Sequence, residues 1–416
     1  MPGTKSDMAH ILMLTPQLPY PPQQGTSLRN LHMLRALAQS HQVSLLSFSE
    51  GELSLGLEPL ESVCRVLPPV RVPARSSADR IRQLATNSLP DVAQRLRNPE
   101  FSDSLIRALT TDSYQAVQVE GLELGPYIEL VRRYEPQAHI VLDCHNAETE
   151  LQRRAMQVDF HTPSRWPVAL YSGLQIGRLA RFEKWATQQA DAILAVSRSD
   201  RAQLAKIGGV EEERIRVVPN TIDIAEYERR WPSTPEVTFD LVFTGKMDYR
   251  PNVDAVLWFA RHVWPEIRRA RPHTTWAIVG QRPHPRLERL RAEKGITLTG
   301  RVPHIQPYLA GASVCIMPLR IGSGTRLKLI EAMASGVPVI STTLGAEGFD
   351  VSDGRELLFA DTPQQWIATI LQLLADEEQR AMLSEAAKQF AARYDWRRII
   401  PLVSQLYEDL LYADQR

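Results

Sequence analysis

Cysteine is scarce: three in 416 residues, at Cys64, Cys144 and Cys315. They lie far apart, without the spacing of a metal site, each in or beside an apolar run. They read as buried structural thiols in a chain suited to a reducing compartment. Net charge is also missing, because 48 Lys and Arg balance 48 Asp and Glu. A nucleic-acid protein would show a basic excess, so nucleic acid is not expected as a partner. Nor does any stretch reach the roughly 18–20 apolar residues of a membrane span. The N-terminus has only Lys5 before its apolar run, and residues 11–14 are too few for a signal-peptide core, so a cytoplasmic location is expected. No Asp-x-Asp pair of the metal-dependent transferase kind occurs.

What is present is ordinary globular composition, 44% hydrophobic and 23% charged, in a chain long enough for two domains. Short β-branched runs alternate with longer helical patterns. Strands are expected at 10–14, 43–48, 116–119, 140–143, 192–196 and 216–218, and helices at 27–39 and 174–189. Near-continuous apolar strands between amphipathic helices signal parallel sheets covered on both faces. The pattern pauses at Trp231-Pro232 and Pro235, then restarts with strands at 239–244, 275–279, 296–299, 314–317, 339–341 and 357–359. Helices are expected at 252–270, with a break at Pro265, and at 328–334. The tail, 376–411, reads as helical with a break near Tyr394-Asp395-Trp396.

The expected fold class is therefore α/β, two doubly wound Rossmann-like domains facing a central cleft. Residues 8–225 form the first, 236–390 the second, and 391–416 a closing helix. Ligands of such sheets bind outside the carboxyl ends of the strands. A basic stretch, Arg65, Arg71, Arg75, Arg80, Arg82, Arg95 and Arg97 against Asp79 and Asp91, reads as a solvated helical surface, or as contact with an anionic membrane surface or a phosphate-bearing acceptor.

The most informative segment runs Pro318-Leu319-Arg320-Ile321-Gly322-Ser323-Gly324-Thr325-Arg326-Leu327-Lys328-Leu329-Ile330-Glu331-Ala332-Met333-Ala334-Ser335-Gly336-Val337-Pro338. It reads as a strand end, a glycine loop, a helix and a return to strand. Gly322 and Gly324 let backbone approach a ligand, and the amides of a new helix attract anions. Arg326 and Lys328 add positive charge there. Glu331 could accept hydrogen bonds from the hydroxyls of a ribose.

This segment resembles the donor-binding segment of retaining GT-B glycosyltransferases of family four, in the subgroup whose loop reads Gly-x-Gly-Thr-Arg-x-Lys. The resemblance covers most of the chain. It implies a GT-B fold, with the last helix crossing back to the N-terminal domain near Tyr394-Asp395-Trp396. It also implies a metal-independent, cofactor-free transferase of hexosyl type, with a nucleotide-diphosphate sugar as co-substrate and retention at the anomeric carbon. Arg326 and Lys328 would meet the diphosphate, beside Gly322, Gly324 and Thr325, and Glu331 the ribose. The commoner family pattern has a first glutamate where Ser323 stands, so the sugar is left undefined. Lys246 occupies the place of a family arginine, and Arg250 falls one residue short of a family lysine. Phosphate contact and surface pairing both stay open for these two.

Further along, Arg301 and Val302 correspond to the segment passing the nucleobase, and Pro219-Asn220-Thr221-Ile222-Asp223 to an interdomain turn in which Asn220 reads as a turn former. In the first domain Gly25 falls in the loop beside diphosphate and acceptor, with Ser27 as N-cap. Arg29 is either a phosphate contact or a surface helical residue. His145, after Asp143-Cys144 at a strand end, corresponds to a family histidine near the donor sugar and leaving diphosphate. Glu120 could face the same place, and Glu183 reads as a helical ion pair. The acceptor is left open among glycan, lipid-linked and small-molecule hydroxyls, with peripheral membrane contact allowed and polysaccharide biosynthesis as one setting. Two other readings stay open: a sugar-nucleotide 2-epimerase of the same fold, and a non-catalytic donor-binding protein.

Overall fold

The computed structural model describes residues 8–22, 24–51, 57–76, 79, 82–83, 86–160, 166–229, 231, 237–322 and 325–412. The chain divides into two compact units, Met1–Pro219 with Arg397–Arg416, and Asn220–Trp396.

The first unit holds an eight-stranded parallel sheet. Its strands are β1 (His10–Thr15), β2 (Gln42–Ser49), β3 (Arg65–Val66), β4 (Val70–Arg71), β5 (Ala116–Glu120), β6 (His139–Cys144), β7 (Ala192–Ala195) and β8 (Ile215–Val217). They run in the order β3-β2-β1-β5-β6-β7-β8, with β4 also pairing β2. Strand order reverses between β1 and β5, where Ile11 pairs with both Val43 and Ala116. Every residue of β5 is buried, as expected of a parallel strand covered on two faces. One core lies against each face. Leu12, Leu14, Phe48, Phe101 and Leu142 pack on one, and Ile11, Met13, Leu34, Leu45 and Val141 on the other. The last helix, Ile400–Tyr412, joins the second of these cores through Val403, Leu406 and Tyr407. The chain thus leaves this unit at Pro219 and returns to it at Arg397.

The second unit is a six-stranded parallel sheet of β9 (Phe239–Thr244), β10 (Trp276–Val279), β11 (Ile296–Gly300), β12 (Ala312–Met317), β13 (Val339–Ser341) and β14 (Leu358–Phe359). Its order, β11-β10-β9-β12-β13-β14, has the doubly wound pattern, with the switch point between β9 and β12. Phe243, Phe259, Trp276 and Trp366 form the aromatic centre of its core. Both units are therefore Rossmann-like, and the fold class is α/β of the GT-B kind.

Several sequence expectations need adjustment. The helix expected from Ser27 begins at Gly25, with Gln24 as N-cap. Ser27 sits two residues inside, its hydroxyl accepting from the Gln24 N–H (3.1 Å) and donating to the Gln24 carbonyl (2.9 Å). The 252–270 helix is two, Arg250–His262 and Trp264–Ala270, broken at Val263 with Pro265 in the first turn of the second, where a missing N–H costs nothing. The basic stretch is not mainly helix: Arg65 and Arg71 lie on β3 and β4, Arg75 and Arg97 in loops, and Arg82 and Arg95 in helical turns. Arg80 lies outside the described residues.

Candidate functional site

At the switch point of the second unit, β9 ends in Thr244 and turns at Gly245, whose φ of 150° belongs to glycine. A side chain at Gly245 would meet the Asn252 amide at 2.7 Å and the Lys328 ammonium at 2.8 Å. Gly280, just past β10, faces the Gly245 carbonyl so closely that no Cβ fits between them. Asn252 locks this turn from the first helical turn after it: its Nδ2 donates to the Lys246 carbonyl at 2.9 Å, and its Oδ1 accepts from Lys328 Nζ at 2.6 Å. Lys328 also lies over the Phe243 ring, 4.5 Å from its centroid.

Lys328 belongs to the helix Leu327–Ala334, whose N-cap is Arg326. Two cations thus sit in the first turn, where unsatisfied N–H groups already make the potential positive. Burial pushes the Lys328 ammonium down to about 8, against the upward pull of Glu331. Such an ammonium gains from a ligand that brings negative charge. Arg326 is buried and forms a 3.8 Å ion pair with Glu347. Gly322, with φ 145°, lies against the Arg326 guanidinium with no room for a side chain. Ser323 and Gly324 lie outside the described residues.

Asn220, read from the sequence as a turn former, belongs to this site, and so does Tyr227, which the sequence did not single out. Asn220 is 9% exposed and donates from Nδ2 to Thr325 Oγ1 at 2.9 Å, so the turn former holds the glycine loop. Tyr227, on the short helix Ile224–Glu228, donates its hydroxyl to Glu331 Oε1 at 3.0 Å. Burial raises the Glu331 carboxyl, while the Tyr227 hydroxyl and Lys328 pull it down. Gly280, Asn252 and Tyr227 carried no signal beyond residue type, because each acts through a distant partner. Lys246 faces Asp248 at 3.8 Å, and Arg250 opens the helix Arg250–His262. Val302 lies after β11, before the helix Gln306–Ala310.

The first unit gathers a different constellation at the ends of β5 and β6. Glu120 is fully buried, and its Oε2 lies 3.0 Å from His145 Nε2. Its Oε1 accepts from Gln118 Nε2 at 2.9 Å, and Gln118 in turn accepts from Tyr407 Oη at 2.6 Å. With the Asn30 amide turned to suit its neighbours, its nitrogen donates to Glu120 Oε2 at 2.9 Å. Arg29 is neither a surface residue nor open to a phosphate. Its Nε and Nη2 bond the two Asp143 oxygens at 2.9 and 2.8 Å, and its Nη1 the Val218 carbonyl at 2.9 Å. Burial alone would lower the His145 imidazole; the Glu120 hydrogen bond and the Asp143 charge outweigh it and raise it. Glu120 itself is raised, by burial and then by Asp143. Ligand atoms of Glu120, Asp143 and His145 lie within 4.8 Å of one another, a grouping able to hold a cation. The Arg29 guanidinium already supplies positive charge there. Gly25 opens the helix that carries Arg29. Glu183 is not a helical ion pair: it accepts from the Glu148 and Thr149 N–H groups at 2.9 and 3.1 Å, capping the helix Glu148–Phe160.

Twin Rossmann-like units with this loop define the GT-B glycosyltransferase class. Family models agree: "Glycosyltransferase Family 4" matches residues 24–226 and "Glycosyl transferases group 1" residues 238–376. The chain thus carries the two domains that these glycosyltransferase models describe, in a GT-B fold. A D-inositol 3-phosphate glycosyltransferase of Corynebacterium urealyticum is 34% identical over 132 residues, covering 30% of this chain and 31% of that protein. A glycogen synthase of Mycobacterium tuberculosis is 24% identical over 57% of this chain and 59% of its own length. This chain therefore spans three-fifths or less of both relatives. Among solved structures, sucrose-phosphate synthase from Thermosynechococcus elongatus matches 97% of this chain and 100% of its own, with TM-score 0.72 and 17% identity. Anabaena HepE, solved with UDP and glucose, matches 96% and 99%, with TM-score 0.65 and 14% identity. No helix among the described residues is long and apolar enough to cross a membrane.

Proposed function

We propose that the chain moves a sugar from a nucleotide-diphosphate sugar to an acceptor hydroxyl, with retention at the anomeric carbon and without a metal. The observation that carries this reading is the pair of cations in the first turn of the helix Leu327–Ala334, at the sheet's switch point. HepE, a fold neighbour, was solved with UDP-glucose, which supports a donor of this class.

When the bond from the anomeric carbon to the diphosphate breaks, negative charge grows on the leaving oxygens. Cations fixed beforehand hold that charge better in the transition state than in the ground state. In this reading Lys328 and Arg326 take the diphosphate, with Gly322 and Thr325 lining its approach. Lys246 and Arg250 stand at the neighbouring turn, Val302 near the base, and Gly25, the first residue of its helix, beside diphosphate and acceptor. Glu331, held by Tyr227, takes the ribose hydroxyls. His145, whose imidazole the Glu120 hydrogen bond raises, serves the transfer step at the sugar and leaving group. Retention follows if the acceptor attacks from the face the diphosphate leaves, passing its proton to the leaving phosphate. The acceptor is a glycan, lipid-linked or small-molecule hydroxyl, and the protein works in the cytoplasm or against the inner face of a membrane.

The test is a panel of nucleotide sugars, with and without acceptors, in EDTA, followed by NMR of product and donor. Nucleoside diphosphate released with an acceptor, and a product of unchanged anomeric configuration, supports the reading. An isomerised donor would make the protein an epimerase, and binding without turnover a donor-binding protein.

A further inference from the structure

Part of the basic stretch of the first unit, Arg75, Arg82 and Arg97, lines a cavity of about 1230 Å³. Six arginines face it, Arg75, Arg82, Arg97, Arg133, Arg178 and Arg181, against three carboxylates, Asp79, Asp103 and Glu129. Three arginines are already engaged: Arg75 with Asp91 at 2.7 Å, Arg82 with Asp79 at 3.1 Å, and Arg178 with the Asn87 carbonyl at 2.8 Å. Arg97, Arg133 and Arg181 form no ion pair among the described residues and are exposed. They come from three separate segments: the loop before the helix Pro99–Thr111, the end of the helix Ile128–Tyr134, and the helix Trp166–Gln189. Six guanidinium groups around one space outnumber its three carboxylates, and this excess of positive charge makes an anionic ligand the natural complement. The helix Pro99–Thr111 adds its positive end, since Pro99 and Ser102 line the same space.

The cavity is not purely polar. Phe182 and Trp185 stack with centroids 5.5 Å apart, and with Leu130 they give it an apolar wall. Its shape is held from within: Tyr127 Oη donates to the Leu96 carbonyl at 2.7 Å and accepts from the Asn98 N–H at 3.1 Å. The Arg75 Nε is buried there without a hydrogen-bond partner. None of Arg29, Glu120, Asp143 or His145 lines this space, so it is separate from that constellation.

We propose that this cavity binds a phosphorylated amphiphile. The phosphate lies among Arg97, Arg133 and Arg181, and the apolar portion against Leu130, Phe182 and Trp185. Arginine suits phosphate because its fork of donors matches two oxygens at once. The ligand can come from two sources, a soluble phosphate ester or the headgroup of a lipid in a bilayer.

The test uses the full chain and octyl phosphate below its micelle concentration, titrated by calorimetry, with inorganic phosphate and octanol as partial ligands. The triple variant Arg97→Ala, Arg133→Ala, Arg181→Ala removes only exposed side chains, and thermal melting checks its fold. A control variant, Arg107→Ala, Arg286→Ala, Arg289→Ala, removes the same charge elsewhere. The expected result is saturable binding of octyl phosphate, tighter than of either partial ligand, weakened at least about tenfold in the triple variant and unchanged in the control. Sedimentation with phosphatidic acid vesicles then separates the sources: arginine-dependent capture points to a lipid headgroup, its absence to a soluble ester. Equal octyl phosphate affinity in wild type and triple variant overturns the proposal, as does inorganic phosphate binding as tightly as octyl phosphate. Nucleoside diphosphate binding, followed in the same samples, reports separately on the donor reading.

Discussion

Each unit sets a cation on a helix that follows one of its strands, Arg29 after β1 and Lys328 after β12, and the two are used in opposite ways. In the first, Arg29 is spent on Asp143 through two bonds of 2.9 and 2.8 Å. In the second, Lys328 is held by a neutral amide, Asn252, and burial depresses its ammonium to about 8. A cation beside a strand end is thus not in itself a phosphate contact. What matters is whether the fold has already given it a carboxylate. Arg29 is architecture, because its charge is closed within the unit. Lys328 is held at a cost, and a residue kept charged at a cost is where a ligand's negative charge gains most.

That contrast can be broken by substitution. Arg29→Ala leaves Asp143 buried without its cation, and denaturant unfolding should show a loss of about 3–5 kcal/mol. Lys328→Met should leave stability unchanged or raised, because it removes a charge that burial disfavours; equal destabilisation by both variants would erase the distinction. Next in size, Arg326→Ala should lower turnover about 10²–10³-fold, the scale seen when one preorganised donor to a developing anion is removed, with the melting temperature little changed. His145→Ala should follow, with turnover falling about 10²-fold. Glu120→Gln should instead move the pH profile: without the carboxylate the imidazole titrates lower, so the limb assigned to it shifts to more acid pH.

A further effect is expected on pH dependence. Folded Lys328 titrates at about 8 against an unfolded value of 10.5, so the unfolded chain binds more protons between them. Stability should therefore rise with pH across that window, and the rise should vanish in Lys328→Met. Diphosphate affinity should move the other way, falling by up to about tenfold per pH unit above 8 as the free ammonium loses its proton.

The comparison also shows what a sequence can carry. Strands of the second sheet were legible almost to the residue, because Phe239–Thr244 and Val339–Ser341 are apolar runs closed by Gly and Pro. The two-residue strands β3 and β4 were not, being too short to display a period. The glycine loop was readable because its chemistry is local: Gly322, Arg326, Lys328 and Glu331 lie within ten residues. Arg29 was not, since its partner is 114 positions away, and nothing in the helix Gly25–Leu37 announces Asp143. The Asn220 bond to Thr325 spans 105 positions, so only the fold could turn a reverse-turn residue into a brace for the loop. Glu183 misled for a similar reason: a charged residue flanked by Arg181 and Lys184 looks like an ion pair until the helix it caps is placed beside it.

The most direct test of the account is calorimetric titration of UDP, GDP, ADP and TDP into the full chain and into Lys328→Met at pH 7. At least one nucleoside diphosphate is expected to bind the wild-type chain, and the variant to bind it at least about tenfold more weakly. Equal affinity in the two proteins, or no binding of any of the four to the wild-type chain, would contradict it.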